Sequence, residues 1–216
     1  MLARTHQSLI WSRQRQTNAL RSMLREFYPA ALSAFGEDLA SREALAVLAL
    51  APSPETGRRL SLSKIAAALR RAGRQRGIEA SAERIQAALR APQLEAHPGV
   101  VGAYAAAVRS LVAVIGELVV QTEVLRSEVE SGFGRHPDAE IYLSQPGLGP
   151  VLGARVLAEF GDDHTRYADA KARKNYAGTS PITRASGTRT VVLARYARNE
   201  HLADAAHQWA FCALTA

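Results

Sequence analysis

The stretch YAAAVRSLVAVIGELVVQTEVLRSEV, residues 104–129, decides the fold class, because one set of side chains in it recurs at alternating spacings of four and three residues. The positions in this set are Tyr104, Val108, Leu111, Ile115, Leu118, Thr122, Leu125 and Val129. An a/d repeat sustained over several heptads is typical of a long helix in a bundle or a coiled coil. We therefore expect one continuous helix over 100–131, and we favour pairing with a second copy over an internal core position.

The segments before this stretch also favour helices. The predicted helices cover residues up to about 27, 40–50, 61–73 and 81–92, with APSPETG (51–57) as a loop. Their predicted N-caps are Ser61 or Ser63 and Ser81, with Gly73 and Pro92 as stops. The last two helices, joined by RQRGIEA (74–80), resemble a helix-turn-helix, and an ordinary helical hairpin is the alternative. The fold class is mainly α.

The net charge of +7 is unevenly distributed. Residues 1–25 hold five arginines and no acid, residues 58–90 hold nine basic residues against two acids, and residues 164–198 hold eight against one. Residues 111–140 are instead acidic, with six acids against two arginines. Three separate basic blocks favour a polyanionic partner, because each neutralised phosphate releases counterions. We therefore expect nucleic acid as the partner of the basic blocks.

Other features of the sequence exclude several protein classes. A single cysteine, Cys212, excludes a disulfide framework and a cysteine-based zinc site, which favours a cytoplasmic location. We expect no membrane partner, since no uninterrupted apolar run approaches the roughly 20 residues of a span. The first residues lack the apolar core of a signal peptide.

The segment QPGLGPVLGARVLAEFGD, residues 145–162, predicts a tight turn followed by a helix. With the short helix before it, the segment matches the helix-hairpin-helix pattern. Gly147 and Gly149 would let backbone N–H groups approach a phosphate at the helix N-terminus, so we predict that both bind DNA. We expect the adjacent Asp162 and Asp163 to be a solvated loop and no metal site to form in this chain.

The segment TSPITRASGTRT, residues 179–190, predicts a short β/turn element that exposes Ser186. Pro181 breaks any preceding helix, and Ser186 and Gly187 stand between Arg184 and Arg189. A serine hydroxyl between cations suits chemistry on a phosphodiester, whereas a surface turn is the ordinary alternative. Candidate nucleophiles and bases elsewhere in this region are Tyr167, Tyr176, Tyr196, His164, His201 and His207.

These motifs together resemble the Piv-type insertion-sequence transposases, the DEDD-plus-serine recombinases guided by a bridge RNA. The matching segments are the glycine turn, KARKNYAG (171–178), the TSP turn, the Ser-Gly pair and, upstream, HQSLIWSRQRQTNALRSMLREFYPAAL (6–32). The resemblance covers nearly the whole chain, and its motifs occur in the family's order.

The resemblance implies that Ser186 is a nucleophile on DNA. We predict that Gly187, Arg184 and Arg189 lie at the attacked phosphate and that Lys171, Arg173 and Lys174 hold the flanking backbone. The family also carries a RuvC-like domain with an Asp-Glu-Asp-Asp site, where Mg²⁺ is expected, and it uses a structured guide RNA. We expect this chain to lack that domain, to stop inside its last helix and to be inactive alone.

The sequence therefore predicts three segments. Residues 1–98 form a basic helical region, 99–133 a coiled-coil helix that makes a homodimer or larger oligomer, and 134–216 a transposase domain truncated at its end. The function predicted is DNA transposition. The alternatives are a DNA-binding regulator, built from the helices of 61–90 and the coiled coil, and a scaffolding remnant without catalysis.

Overall fold

The computed structural model describes residues 1–163 and 165–216, and it confirms a mainly α fold. The helices in chain order are α1 (Leu2–Phe27), α2 (Pro29–Phe35), α3 (Arg42–Leu50), α4 (Pro54–Arg58), α5 (Leu62–Arg71), α6 (Ile78–Arg90), α7 (Pro98–Gly134), α8 (Ala139–Leu143), α9 (Pro150–Phe160), α10 (Ala170–Ala177) and α11 (Glu200–Ala213). The strands β1 (Ile182–Ser186) and β2 (Arg189–Leu193) lie between α10 and α11.

Two predictions about the N-terminal helices were wrong in detail. The predicted loop 51–57 contains α4, because Pro54 occupies its first turn and Ser53 and Thr56 form a capping box. Ser81 does not cap α6: the helix begins earlier, at Ile78, after Gly77 in the left-handed conformation. The other predicted caps are confirmed, since the Ser61 side chain accepts a hydrogen bond from the Lys64 amide and Gly73 ends α5 with φ +100°.

The chain divides into two compact units, residues 8–123 and residues 1–7 with 124–216. The sequence-based segments 1–98, 99–133 and 134–216 are a different division, which follows helix boundaries. The first unit has one apolar core, whose fully buried large side chains include Leu24, Phe27, Tyr28, Leu48, Ile65, Leu69, Ile85 and Ile115. α5 and α6 pack against each other as a helical hairpin, and α2 packs against α6.

The predicted continuous helix over 100–131 is confirmed by α7, which runs for 37 residues. Two of its a/d positions, Val108 and Ile115, are fully buried in the core of residues 8–123, whereas Leu118 and Leu125 are only partly buried. Part of the a/d set therefore belongs to the internal core, and pairing with a second copy stays a prediction. The four-three spacing specifies a buried helix face, and it cannot tell which segment covers that face.

α7 also corrects the expectation that no segment has the length and hydropathy of a membrane span. By length and composition alone it could cross a membrane, a test that the core helices of soluble proteins also pass. The prediction was based on apolar runs without interruption. In α7, glycine, serine and a few charged residues interrupt the apolar residues, and the mean hydropathy is still high enough for a span.

The unit of residues 1–7 and 124–216 is built around α9. One face of α9 packs through Ala154 and Leu157 against Val129 and Phe133 of α7. Its other face packs through Val156 against α11, where Ala205 is fully buried. α8 packs against α9, and α10 packs against α11. The β1–β2 hairpin follows α10 and precedes α11 in the chain, so these packed helices support its base.

Candidate nucleic-acid interface

The predicted β/turn segment is an antiparallel hairpin with Ser186 at its tip. β1 and β2 pair from Ile182 opposite Leu193 to Ser186 opposite Arg189, so that Gly187 and Thr188 form a two-residue turn. Gly187 has φ +58°, whereas no residue other than glycine has a positive φ in the part of the chain that is described. A positive φ at the first turn position alone is the pattern of a type II′ turn, which requires glycine there.

The strand register places Ser186, Arg184 and Arg189 on one face of this hairpin. Ser186 and Arg189 are direct cross-strand partners, and Arg184 is two residues before Ser186 on the same strand. All three residues are exposed. Among residues 1–163 and 165–216, neither arginine has an ion pair and the serine hydroxyl has no hydrogen bond. Two guanidinium groups are thus available beside a free hydroxyl.

The other predicted cations lie on α10. Lys171, Arg173 and Lys174 are exposed. The Asp169 side chain caps this helix by accepting a hydrogen bond from the Ala172 amide at 2.6 Å. This carboxylate therefore acts as the N-cap of α10 rather than as an ion-pair partner of these cations. The structure therefore keeps the predicted basic residues of α10 at the surface.

Ion pairing distinguishes the second basic block from the third. Four basic residues between 58 and 90 are in ion pairs: Arg58–Glu95, Arg59–Glu55, Arg70–Glu79 and Arg74–Glu43. Within 164–198, Arg198 is the one described basic residue in an ion pair, with Glu200. An anion that approaches the third block therefore displaces few internal partners, whereas four of the nine basic residues of the second block are already in ion pairs.

A groove lined by aromatic and basic side chains, the aromatic groove, lies beside α10. Its main lining residues are Phe160, Tyr167, Arg173, Lys174, Thr179 and Trp209, and its volume is about 490 Å³. The Arg173 guanidinium lies 5.2 Å from the Phe160 ring centroid and 5.3 Å from that of Tyr167, which is cation–π geometry. The Trp209 indole is fixed by a hydrogen bond of 2.9 Å from Nε1 to the Pro146 carbonyl.

A buried carboxylate, Glu159, joins several elements of this unit. Its side chain is 3% exposed and accepts two hydrogen bonds from Arg4, at 2.6 and 2.7 Å, and one from Asn199 at 2.7 Å. Burial alone would raise the pKa of Glu159, but the hydrogen bonds from Arg4 and Asn199 outweigh burial and lower it. Glu159 is therefore ionised at neutral pH.

Asn199 connects this carboxylate to α10 and α11. Its side chain accepts a hydrogen bond from the Leu202 amide and so caps α11. The same side chain donates to the Tyr176 hydroxyl at 3.0 Å, and its backbone amide donates to the Tyr176 carbonyl at 2.9 Å. Arg195 also donates to the Ser180 carbonyl at 3.2 Å, which joins the two segments that flank the hairpin.

The predicted order of short helix, turn and helix is present as α8, residues 144–149 and α9, but its two glycines differ. A Cβ on Gly147 would lie 2.5 Å from the backbone nitrogen of Ala213, and Gly147 has φ +76°. The close backbone approach at Gly147 is therefore with the end of α11, which is a packing reason for glycine. At Gly149 a Cβ would meet nothing within 4 Å, so the approach to α9 is open there.

None of the remaining candidate residues that the structure describes forms a hydrogen bond with Ser186. Tyr196 is 79% exposed, and the Tyr176 hydroxyl accepts a hydrogen bond from Arg166 at 2.9 Å. Burial raises the pKa of Tyr167, while Arg166 and Arg173 act in the opposite direction, so its phenol stays protonated. His201 lies near Glu159, His207 is exposed, and His164 is outside the described residues.

The adjacent aspartates have ordinary partners. Asp162 lies 3.2 Å from His136, and Asp163 accepts hydrogen bonds from the Thr165 amide and hydroxyl. In residues 1–163 and 165–216, no group of three or more His, Cys, Asp or Glu side chains could hold a metal ion.

Sequence reasoning missed Glu159, Asn199, Phe160 and Trp209. Glu159 and Asn199 become partners only through tertiary packing, 40 residues apart. An acid inside the apolar segment VLGARVLAEF could have drawn attention to Glu159, because a carboxylate on the buried face of a helix requires a partner. Phe160 and Trp209 carry no local signal of a groove.

Comparison with known proteins connects this unit to mobile elements. Residues 139–216 match the family model described as "Transposase IS116/IS110/IS902 family". The whole chain is 42% identical to the "Mini-circle putative transposase for IS117" of Streptomyces coelicolor and spans 53% of that relative's length. No solved structure matches the chain.

Two further relatives come from insertion elements. The "Insertion element IS900 uncharacterized 42 kDa protein" of Mycobacterium paratuberculosis is 34% identical over 68% of this chain and 36% of its own length. The "Insertion element IS110 uncharacterized 43.6 kDa protein" of Streptomyces coelicolor is 28% identical over 84% of this chain and 44% of its own length. Residues 139–216 are thus similar to the transposase domain that this family model describes, in a chain similar over its whole length to a protein named as an insertion-element transposase.

Proposed function

We propose that this chain is the DNA-binding part of an insertion-sequence transposase and that Ser186 is its nucleophile. The observation that carries the proposal is the shared hairpin face of Ser186, Arg184 and Arg189, on which neither guanidinium group has an ion pair with any described residue. A phosphodiester at this face would meet a hydroxyl between two cations. The relatives' names support the same reaction class.

The proposed step exchanges one phosphate ester for another. The Ser186 Oγ attacks the phosphorus, a new Oγ–P bond forms, and the bond from phosphorus to one deoxyribose oxygen breaks. The serine proton leaves to a general base, and the departing deoxyribose oxygen takes up a proton. Arg184 and Arg189 would stabilise the negative charge that accumulates on the non-bridging oxygens. Neither base nor acid is assigned among the described residues.

The other parts of this proposal rest on the resemblance. We propose that a RuvC-like domain with its Asp-Glu-Asp-Asp site acts with this chain, that Mg²⁺ binds in that domain, and that a structured guide RNA takes part. Without that domain the chain binds DNA but does not cleave it. We place the protein in the cytoplasm.

DNA binding can be tested on the chain as it is. We expect anisotropy with a fluorescent duplex to give an affinity that falls with salt by about 0.9 logarithmic units for each phosphate contacted, per tenfold change in salt. Charge-neutral substitution Ser186→Ala should leave the binding curve unchanged. Absence of salt-sensitive binding would exclude the DNA-binding part of the proposal.

The role of Ser186 requires a covalent readout. In a fusion that supplies a RuvC-like domain of the family, we expect a seryl–DNA adduct that mass spectrometry maps to Ser186. Ser186→Ala should abolish the adduct while duplex affinity stays the same, because the substitution removes the nucleophile and no charge. An adduct that maps to Tyr176 or Tyr196 would replace this assignment by a tyrosine mechanism.

The alternative of a DNA-binding regulator predicts a different location for the affinity. It would place DNA on α5, α6 and their connector, where Arg70 and Arg74 are already in ion pairs with Glu79 and Glu43. Sequence-specific binding that survives removal of the residues after 135 would favour the regulator. Loss of binding on that removal is what our proposal expects.

A further inference from the structure

The aromatic groove has features that the proposed attack on a phosphate at the hairpin tip does not use. It presents three aromatic rings, from Phe160, Tyr167 and Trp209, at a surface where Arg173 and Lys174 have no ion pair with any described residue. A surface that only completes a small apolar core does not require two cations without ion pairs to described residues. The combination of planar side chains and free positive charge suits a ligand that is both flat and anionic.

Resting on the transposase function proposed above, we propose that the aromatic groove binds an unpaired nucleobase of a DNA strand. Bases removed from the helix stack on aromatic rings and on guanidinium planes, and the adjoining phosphate binds a neighbouring cation. Arg173 offers the guanidinium plane, Trp209 the indole, and Lys174 the charge. A volume of about 490 Å³ lies within the range of sites that hold small molecules, which includes the size of a single nucleotide.

The planar groups of the groove are held in place before any ligand arrives. The Arg173 guanidinium rests against the Phe160 and Tyr167 rings, which themselves meet edge to face at 6.1 Å. The Trp209 indole is fixed by its hydrogen bond to the Pro146 carbonyl. Because these side chains are already ordered, stacking a base on them costs little conformational entropy.

The groove is also positioned relative to Ser186. Thr179, one of its lining residues, is the first residue of the TSP turn (179–181) that leads into the hairpin, and Ile182 to Ser186 forms β1. Four steps of about 3.3 Å along a strand place the hairpin tip about 13 Å from its base. A strand with its attacked phosphate at Ser186 would therefore place a base only a few nucleotides away at the groove.

The acidic residue near the groove does not oppose this assignment. Asp169 lines the groove, but its carboxylate accepts the hydrogen bond from the Ala172 amide that caps α10. Its charge is thus partly balanced by the amide groups of the first turn of that helix. On the other side of the groove, a phosphate would meet the positive charges of Arg173 and Lys174.

The test compares a single-stranded oligodeoxythymidine with the same strand carrying abasic sites, bound to the full chain at one salt concentration. Stacking of one base makes us expect about tenfold tighter binding of the strand that has bases. Arg173→Lys keeps the charge but lacks the guanidinium plane, and Trp209→Leu removes the indole, so both should bring the preference close to one. Tyr196→Leu, which removes an exposed ring outside the groove, should keep it.

Fluorescence provides a second readout. In a Trp11→Phe background the emission comes from Trp209, and base stacking should quench it with the base-containing strand but not with the abasic one. Equal affinities of the wild-type chain for the two strands would overturn the inference. So would a preference that persists in a folded Arg173→Lys variant, and a base preference seen with an RNA strand alone would overturn the assignment to DNA.

These outcomes are separable from those that test the proposed function. Duplex binding with normal salt dependence, together with no base preference, would remove the groove proposal and leave the DNA-binding proposal intact. Absence of binding to duplex and single strands alike would remove both. Circular dichroism of each variant establishes that a lost preference does not come from unfolding.

Discussion

Ser186 and Arg189 face each other across the hairpin as the last cross-strand pair before the turn. Thr190, one residue further along β2, pairs with Ala185, and its side chain therefore points to the opposite face. The hairpin thus has one face that carries the hydroxyl and two guanidinium groups, and another that carries only small neutral side chains. This asymmetry makes the interface testable residue by residue.

The first prediction concerns the two faces of β2. Arg189→Ala should weaken duplex binding and lower the magnitude of the salt slope by about 0.9, since one phosphate contact is lost. Thr190→Ala, on the opposite face, should alter neither quantity. Anisotropy titrations at several salt concentrations measure both. Equal effects of the two substitutions would show that DNA does not approach the face of Ser186.

The second prediction concerns the two glycines of the α8–α9 turn. Gly147→Ser should destabilise the chain by about 2 kcal/mol or more, because its Cβ would clash with the backbone of α11 and its φ of +76° is unfavourable for serine. Gly149→Ser should be nearly neutral, since space is open there and serine is a good N-cap. Thermal unfolding of the two variants provides the comparison.

Gly149 also allows a test of the predicted phosphate role. Gly149→Val adds bulk at the open approach to α9, so DNA affinity should fall while helicity stays the same. Unchanged affinity with an intact circular dichroism spectrum would leave this turn a structural element only. The packing of Gly147 against α11 makes the same substitution at that position uninformative about DNA.

The third prediction uses the unequal burial of Arg4 and Glu159. The Arg4 side chain is 54% exposed and Glu159 is 3% exposed. Arg4→Ala leaves a buried carboxylate without its main partner and should cost about 3 kcal/mol, whereas Glu159→Gln leaves an arginine that water can solvate and should cost about 1 kcal/mol. Denaturant unfolding measures both. A larger cost for Glu159→Gln would contradict the view that burial of the carboxylate dominates.

The fourth prediction is the pH dependence of the same pair. The folded-state pKa of Glu159 is lowered, so ionised Glu159 adds stability that is fully present above its ordinary pKa of about 4.3. This stability is lost as the pH falls through the folded-state pKa. The stability difference between wild type and Glu159→Gln should therefore be constant near neutral pH and shrink below about pH 4.3. A difference that is independent of pH would contradict it.

Local signals in the sequence were sufficient for most of the long helices, but they missed α4 and they did not predict tertiary relationships. The helix stops at Gly73 and near Pro92, and the turn at Gly187, follow from the backbone preferences of single residues, so they were predictable. The same holds for the charge of the third basic block. Whether those cations are free depends on which acids pack beside them, and no periodicity contains that information.

The candidate site shows the same division. The hairpin face shared by Ser186, Arg184 and Arg189 follows from a two-residue turn and alternation, both readable from TSPITRASGTRT. The aromatic groove instead combines Phe160 from α9, Arg173 from α10 and Trp209 from α11. Phe160 and Trp209 are 49 residues apart in the chain, and no sequence spacing predicts that helix packing brings them together.

The last prediction concerns self-association through α7, which we retain as a proposal with a changed surface. Charged substitutions at Leu111 and Leu118, on the a/d positions, would disturb a face on which Val108 and Ile115 are fully buried. A change of mass there could come from unfolding.

A partner copy would instead have to use the exposed side of α7, where Ala113 and Val120 are seven residues apart on one helix face and Val120 is 48% exposed. Ala113→Glu combined with Val120→Glu places two charges on this side without entering the core. If a second copy packs there, sedimentation should show a shift from dimer to monomer while the helical signal stays constant. Ala113→Ser with Val120→Thr, which keeps both positions small and uncharged, should remain dimeric. An unchanged mass in the double glutamate variant would exclude this face of α7 as the contact, because two carboxylates buried in an apolar interface would each cost several kcal/mol.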